Sequence, residues 1–151
     1  MSDYIDKAFN RLRLKPNTFG VIHIRTGDEY LTSKKKIEPP FLNQILRVIN
    51  KINSPTKKYL ILSDNQELKL ILRRTHNFYV YIHPIEHLGG EINPIKNSDG
   101  IKNTLLEFYL MSYSNSILSL SVYEHLSGFS KYCSEIYNIP FNNIRLKKPT
   151  T

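Results

Sequence analysis

Apolar positions along this chain alternate between two rhythms, one helical and one extended. Ile5, Phe9 and Leu12 recur at helical spacing and predict a short helix over residues 2–14. Thr18 to Arg25 then reads as a strand, since Val21, Ile22 and Ile24 are β-branched and nearly continuous, as in a strand covered on both faces. Residues 26–38 lose the period and carry the basic run Lys34-Lys35-Lys36, so they read as a loop. Pro39-Pro40 suits a first helical turn, and Phe41, Ile45, Val48, Ile49 and Ile52 make one apolar face that runs to Asn53. Lys58 to Leu62 is a second strand, and Asn65 to Arg74 is a helix with Asp64 or Asn65 as its N-cap. Phe78 to Ile82 is a third strand, followed by a long loop from His83 to Ser98 with Gly89-Gly90 inside it. Ile101 to Tyr113 is predicted helical, Ile117 to Leu120 extended, and Glu124 to Tyr137 helical until Asn138 and Pro140 stop it. Ile144 to Leu146 reads as a last edge strand before a basic tail.

Strands alternating with helices imply a parallel sheet with helices on both faces. The expected architecture is therefore α/β, a single Rossmann-like domain over residues 1–151. In such sheets a ligand lies beyond the carboxyl ends of the strands, where the strand order reverses. His23 and Arg25 occupy that end of the first strand, two residues apart and so on one face. An arginine there has a planar fork able to hold a phosphate with two hydrogen bonds. Gly27 allows the backbone to turn tightly beside a ligand, and Asp28 is placed to orient Arg25 or to close the strand end with it as a plain salt bridge.

Charge sharpens this. The formal net charge of +8 points to an anionic partner, whether a nucleotide, a nucleic acid or an acidic surface, beside its bland use in solubility. The apolar share of 40% and charged share of 23% are those of an ordinary globular protein. One cysteine, Cys133, excludes a disulfide framework and a cysteine zinc cluster. The opening MSDYIDKAFNRLRLK is too polar for a secretory signal, and the most apolar stretch carries Glu107 and several serines, so no membrane span and a cytoplasmic location are expected. His76, His83, His87 and His125 do not fall at metal-ligand spacing, and no metal is expected.

HIRTGD at 23–28 resembles the first signature of the fucosyltransferase clan with the two-domain GT-B architecture, which includes the α1,2-, α1,6- and protein O-fucosyltransferases. YLILSDN at 59–65, EFYLMSYSNSILSLS at 107–121 and SGFSKYC at 127–133 are similar to the later pieces of that pattern, in the same order. The resemblance implies the C-terminal, donor-nucleotide half of a GT-B fold and GDP-fucose as donor substrate, with no cofactor. It implies that Arg25 binds the donor's diphosphate and supports the leaving group as the catalytic residue, and that His23 contacts the nucleotide. Gly27, Asp28 and Asp64 fall within the matching motifs. Glu107 stands where the family has an aspartate that reads guanine, and Ser127, Phe129 and Ser130 match the turn facing the phosphates. Only about two dozen residues precede HIRTGD, too few for a second half. A glycan or protein acceptor would then need a partner chain or a second copy to hold it.

Each assignment has a plainer alternative. Asp64 can be a helix cap, Ser127 and Ser130 likewise, Glu107 a solvent-facing helix residue, and the lysine run a solvated loop. Two other functions remain open on sequence alone. One is a basic nucleic-acid-binding protein using Lys34–Lys36, Arg73-Arg74 and Lys147-Lys148, although no nucleic-acid motif is present. The other is an interaction module that kept the fold without chemistry.

Overall fold

The computed structural model describes residues 2–27, 36–76, 78–81, 98–123 and 128–148. Its elements, in chain order, are α1 (Ser2–Leu12), β1 (Gly20–Arg25), α2 (Pro39–Ile52), β2 (Tyr59–Ser63), α3 (Gln66–His76), β3 (Tyr79–Val80), α4 (Ser98–Ser112), β4 (Ser116–Ser121), α5 (Gly128–Tyr137) and β5 (Phe141–Arg145). The five strands form one sheet in the order β3-β2-β1-β4-β5, and every neighbouring pair is parallel. The expected α/β architecture is the one found, with β1 and β2 adjacent and β1 at the centre.

Two apolar layers cover the sheet. Ile22, Ile24, Ile61 and Leu120 point toward α2 and α3, where Phe41, Ile45, Ile49, Leu68 and Leu72 are buried. The opposite face carries Val21, Leu60, Leu62 and Ile117, packed against Ile5 and Phe9 of α1, Leu110 and Met111 of α4, and Cys133 of α5. Each of these large side chains, once fully buried, contributes about 1.5–3 kcal/mol. Burial also pushes the Cys133 thiol up to about 12, so it is an inert core residue.

Most element ends shift by one to three residues, and three differences bear on the sheet edges and the start of α3. The last strand is Phe141–Arg145, longer and earlier than Ile144–Leu146, because its polar FNNIR sequence hides an edge strand that pairs with Ile117 to Ser121 of β4. The third strand is described only as Tyr79–Val80, at the other edge, and Ile82 lies outside the described residues. Asn65, not Asp64, caps α3: its Oδ1 accepts the Leu68 amide at 3.0 Å. Among the described residues no helix is long and apolar enough to cross a membrane.

Candidate nucleotide site at the sheet's central crevice

The chain steps outward from β1 through β2 to β3, then returns to lay β4 on the other side of β1. The strand order therefore reverses between β1 and β4, which opens a crevice at their carboxyl ends. Arg25 is the last residue of β1, in register with Ser121 of β4, which is in register with Arg145 of β5.

Asp64, just past β2, organises this edge. Its Oδ1 accepts the Thr26 amide at 2.9 Å and the Thr26 hydroxyl at 2.8 Å, and its Oδ2 accepts the Gly27 amide at 3.1 Å. The same Oδ2 lies 3.3 Å from Arg25 Nε. Ser63 and Asn65 on either side hold it in place. The Ser63 hydroxyl donates to the Ile24 carbonyl at 2.8 Å and accepts the Asn65 amide at 3.1 Å. Gly27 takes φ 127°, a left-handed value that a side chain would strain by about 1–3 kcal/mol. Burial pushes the Asp64 carboxyl up from its ordinary value, opposed by the Thr26 and Gly27 donors and the Arg25 charge.

The Arg25 side chain is thus ion-paired with Asp64 along its Nε edge while its tip lies over the Tyr123 ring, 5.2 Å from the centroid. Only 14% of the side chain is exposed. This is a largely buried guanidinium at the crevice mouth, ion-paired on one side with a buried carboxylate.

One step deeper on the same face, His23 is flanked in register by Leu62 and by Ser119, and Ser119 is flanked by Asn143. Its ring lies 5.4 Å from that of Phe129. His23 Nδ1, Ser119 Oγ and Asn143 Oδ1 are buried without a protein hydrogen-bond partner, a polar row inside an otherwise apolar layer. Burial, then the nearby charges of Arg25 and Lys69, lower the His23 pKa to about 3, so the imidazole is neutral at physiological pH.

Behind this row lies a buried ion pair. Lys69 of α3 donates to Glu107 Oε1 of α4 at 2.8 Å and to the Tyr81 carbonyl at 2.8 Å. The two side chains are 0% and 2% exposed.

No family model matches the chain, and no curated protein matches it. Solved structures do. The fucosyltransferase NodZ from Bradyrhizobium superposes with a TM-score of 0.57 at 16% identity, over 99% of this chain and 45% of that one. The chain has the fold of part of a fucosyltransferase. A second structure, of NodZ α-1,6-fucosyltransferase soaked with GDP-fucose, matches at a TM-score of 0.48 and 16% identity, over 87% of this chain and 40% of that one. The chain thus spans less than half the length of the fucosyltransferase it matches.

On this fucosyltransferase-like frame, His23, Arg25, Gly27 and Asp64 gather at or below the crevice edge. Asp28 and Ser127 lie outside the described residues. The carboxylate that holds Arg25 among the described residues is Asp64, which sequence reasoning had weighed chiefly as a cap. Phe129 packs between His23 and Phe108, so its described role is to wall the polar row, and Ser130 is buried at the start of α5. Glu107 does not lie on a solvent-facing helix surface: it is buried, and its Oε1 accepts from Lys69.

Thr26, Lys69 and Tyr123 were missed. Nothing in the sequence marks Thr26. Lys69 did leave a signal, because positions 68, 69 and 72 form the buried stripe of α3 and a lysine sits within it.

The state of His23 has a measurable consequence. Its folded pKa of about 3 lies below the ordinary 6.5, so its stabilising contribution is complete above 6.5 and is lost as pH falls toward 3. Relative to a His23→Gln variant, the wild type should lose about 2 kcal/mol by about pH 5, measured as the difference in urea-unfolding free energy across pH. Parallel pH curves for the two proteins would rule out a buried neutral His23.

Proposed function

We propose that this protein binds the nucleoside-diphosphate moiety of a nucleotide sugar, with GDP-fucose as donor, as a fucosyltransferase-like domain. The observation that carries the reading is the largely buried Arg25, ion-paired with Asp64 at the mouth of the crevice between β1 and β4. In this reading the guanidinium holds the diphosphate and neutralises the charge that grows on it as the sugar–phosphate bond breaks. The fucosyltransferase fold and the HIRTGD-like motif on β1 both support that assignment. The buried polar row of His23 and Ser119 backs the site from below, with neutral His23 offering hydrogen bonding rather than charge.

In this reading Glu107, paired with Lys69, is not counted among the ligand contacts. Transfer would also need an acceptor held against the sugar's anomeric carbon. In this reading that surface comes from beyond the described residues, through a further segment, a partner chain or a second copy.

Lys34 and Lys35 lie outside the described residues, and the described basic positions do not favour a nucleic-acid surface. Arg73 and Arg74 lie in the last turn of α3, which leads back toward the amino end of β3. Lys147 and Lys148 follow β5, at the carboxyl ends of the strands. A continuous basic stripe would be needed to track a backbone.

Calorimetric titration of GDP tests the reading. Arg25→Lys keeps the charge but loses the planar fork, and should weaken GDP binding by roughly 1.5–3 kcal/mol, with Arg25→Ala costing at least as much. Circular dichroism should show both variants folded. GDP binding equal in wild type and Arg25→Ala would reduce Arg25 to a structural ion pair. A wild type that binds no nucleoside diphosphate at millimolar concentration would leave an interaction module with an inherited fold.

A further inference from the structure

We propose that Lys148 is a second phosphate contact of this crevice, one that makes the site prefer a ligand carrying two linked phosphates over one carrying a single phosphate. The inference rests on the donor reading above and adds to it a residue from outside every motif that suggested it.

The geometry begins at β5. The Leu146 amide donates to the Ser121 carbonyl at 2.8 Å, carrying the β4–β5 ladder past the end of the strand. The next residue is pinned twice to α2: the Lys147 amide donates to Gln44 Oε1 at 2.8 Å, and Gln44 Nε2 donates to the Lys147 carbonyl at 3.0 Å. Lys148 therefore leaves an anchored backbone, which lowers the conformational freedom lost when its side chain meets a ligand. Its Nζ stands 5.7 Å from the centroid of Tyr123, the same ring that carries the Arg25 guanidinium at 5.2 Å.

Two cations sharing one ring repel each other, and Asp64 compensates only Arg25. Among the described residues Lys148 has no carboxylate partner. An anion with two charged centres relieves that repulsion best, one centre on each cation. The division of labour matches the two side chains, since the Arg25 fork grips one phosphate with fixed geometry and the Lys148 ammonium acts as a movable point charge on the other. A monophosphate satisfies only one of them.

The experiment titrates GDP, GMP and inorganic pyrophosphate into wild type, Lys148→Met and Lys148→Arg at fixed ionic strength. Lys148→Met keeps the apolar stem and removes the cation. It should lower GDP and pyrophosphate affinity about tenfold and leave GMP within about twofold, with Lys148→Arg recovering most of the loss. If Lys148→Met weakens GDP and GMP equally, or neither, Lys148 is no diphosphate contact, and the donor reading stands without it. If wild type binds pyrophosphate through Lys148 but not GDP, the anion site stands and the donor reading fails. If wild type binds neither, both fall.

Discussion

Asp64→Ala is expected to lose about 3–5 kcal/mol of folding stability, the range for removing one partner of a buried ion pair. The size follows from what the substitution strands. The Thr26 amide, the Thr26 hydroxyl and the Gly27 amide all donate to this one carboxylate, and Arg25 Nε faces it. Each buried donor left unmatched adds its own desolvation cost. Asp64→Asn should lie between wild type and Asp64→Ala, because the amide oxygen can still accept from Thr26 while its NH2 group confronts the donors of Gly27 and Arg25. Urea unfolding reads the loss directly. A deficit below about 1 kcal/mol for Asp64→Ala would mean that the loop after β1 is held by something other than this carboxylate. Nucleotide affinity should fall alongside, since Arg25 would lose the contact that orders its guanidinium.

The second large effect concerns the buried pair behind the site. Lys69→Met is expected to cost about 3–5 kcal/mol, because it leaves Glu107 with a charge, or forces a proton onto it, at a position shut from water. Burial already pushes the Glu107 carboxyl up from its ordinary value, and the Lys69 charge and hydrogen bond are what hold it back. Removing both charges is a different matter. The double variant Lys69→Met/Glu107→Leu should recover most of the single-variant loss, short of about 1 kcal/mol for the Tyr81 carbonyl that Lys69 also serves. The same variant separates frame from ligand contact. If it folds and still prefers GDP over ADP as the wild type does, Glu107 belongs to the frame. A folded double variant that has lost that preference would return Glu107 to the base-reading role that the family resemblance implies. Stability additive over the two single variants would contradict the pairing itself.

Several features of the site were readable before any coordinates. A basic residue at the carboxyl end of the most apolar strand marked Arg25, because a buried strand end accepts an arginine only with a partner for its charge. The Ser63-Asp64-Asn65 run marked a strand end and a helix start. What could not be read was which of these polar residues faced which. Asp28, three positions from Arg25, is the natural local partner and lies outside the described residues, and nothing local marks the contact that Arg25 makes with Asp64 from β2. The edge strand β5 was half-seen for a related reason. Its polar Asn142 and Asn143 carry no apolar rhythm, and only pairing with β4 makes the segment extended.

The sequence by itself determined the alternation of strand and helix, the parallel sheet, the two-sided burial of β1 and the position of Arg25 at its end. Those follow from periods of 2 and 3.6 residues, which are local properties of a chain. The tertiary structure alone decided the contacts that make the crevice a site. Thr26 and Asp64 are 38 residues apart, as are Lys69 and Glu107, and Gln44 and Lys147 are 103 apart. Such pairs are set by the order of strands in the sheet, in particular by β4 and β5 returning to the far side of β1. No local period encodes that order, because it depends on how the helices cover both faces of the sheet at once.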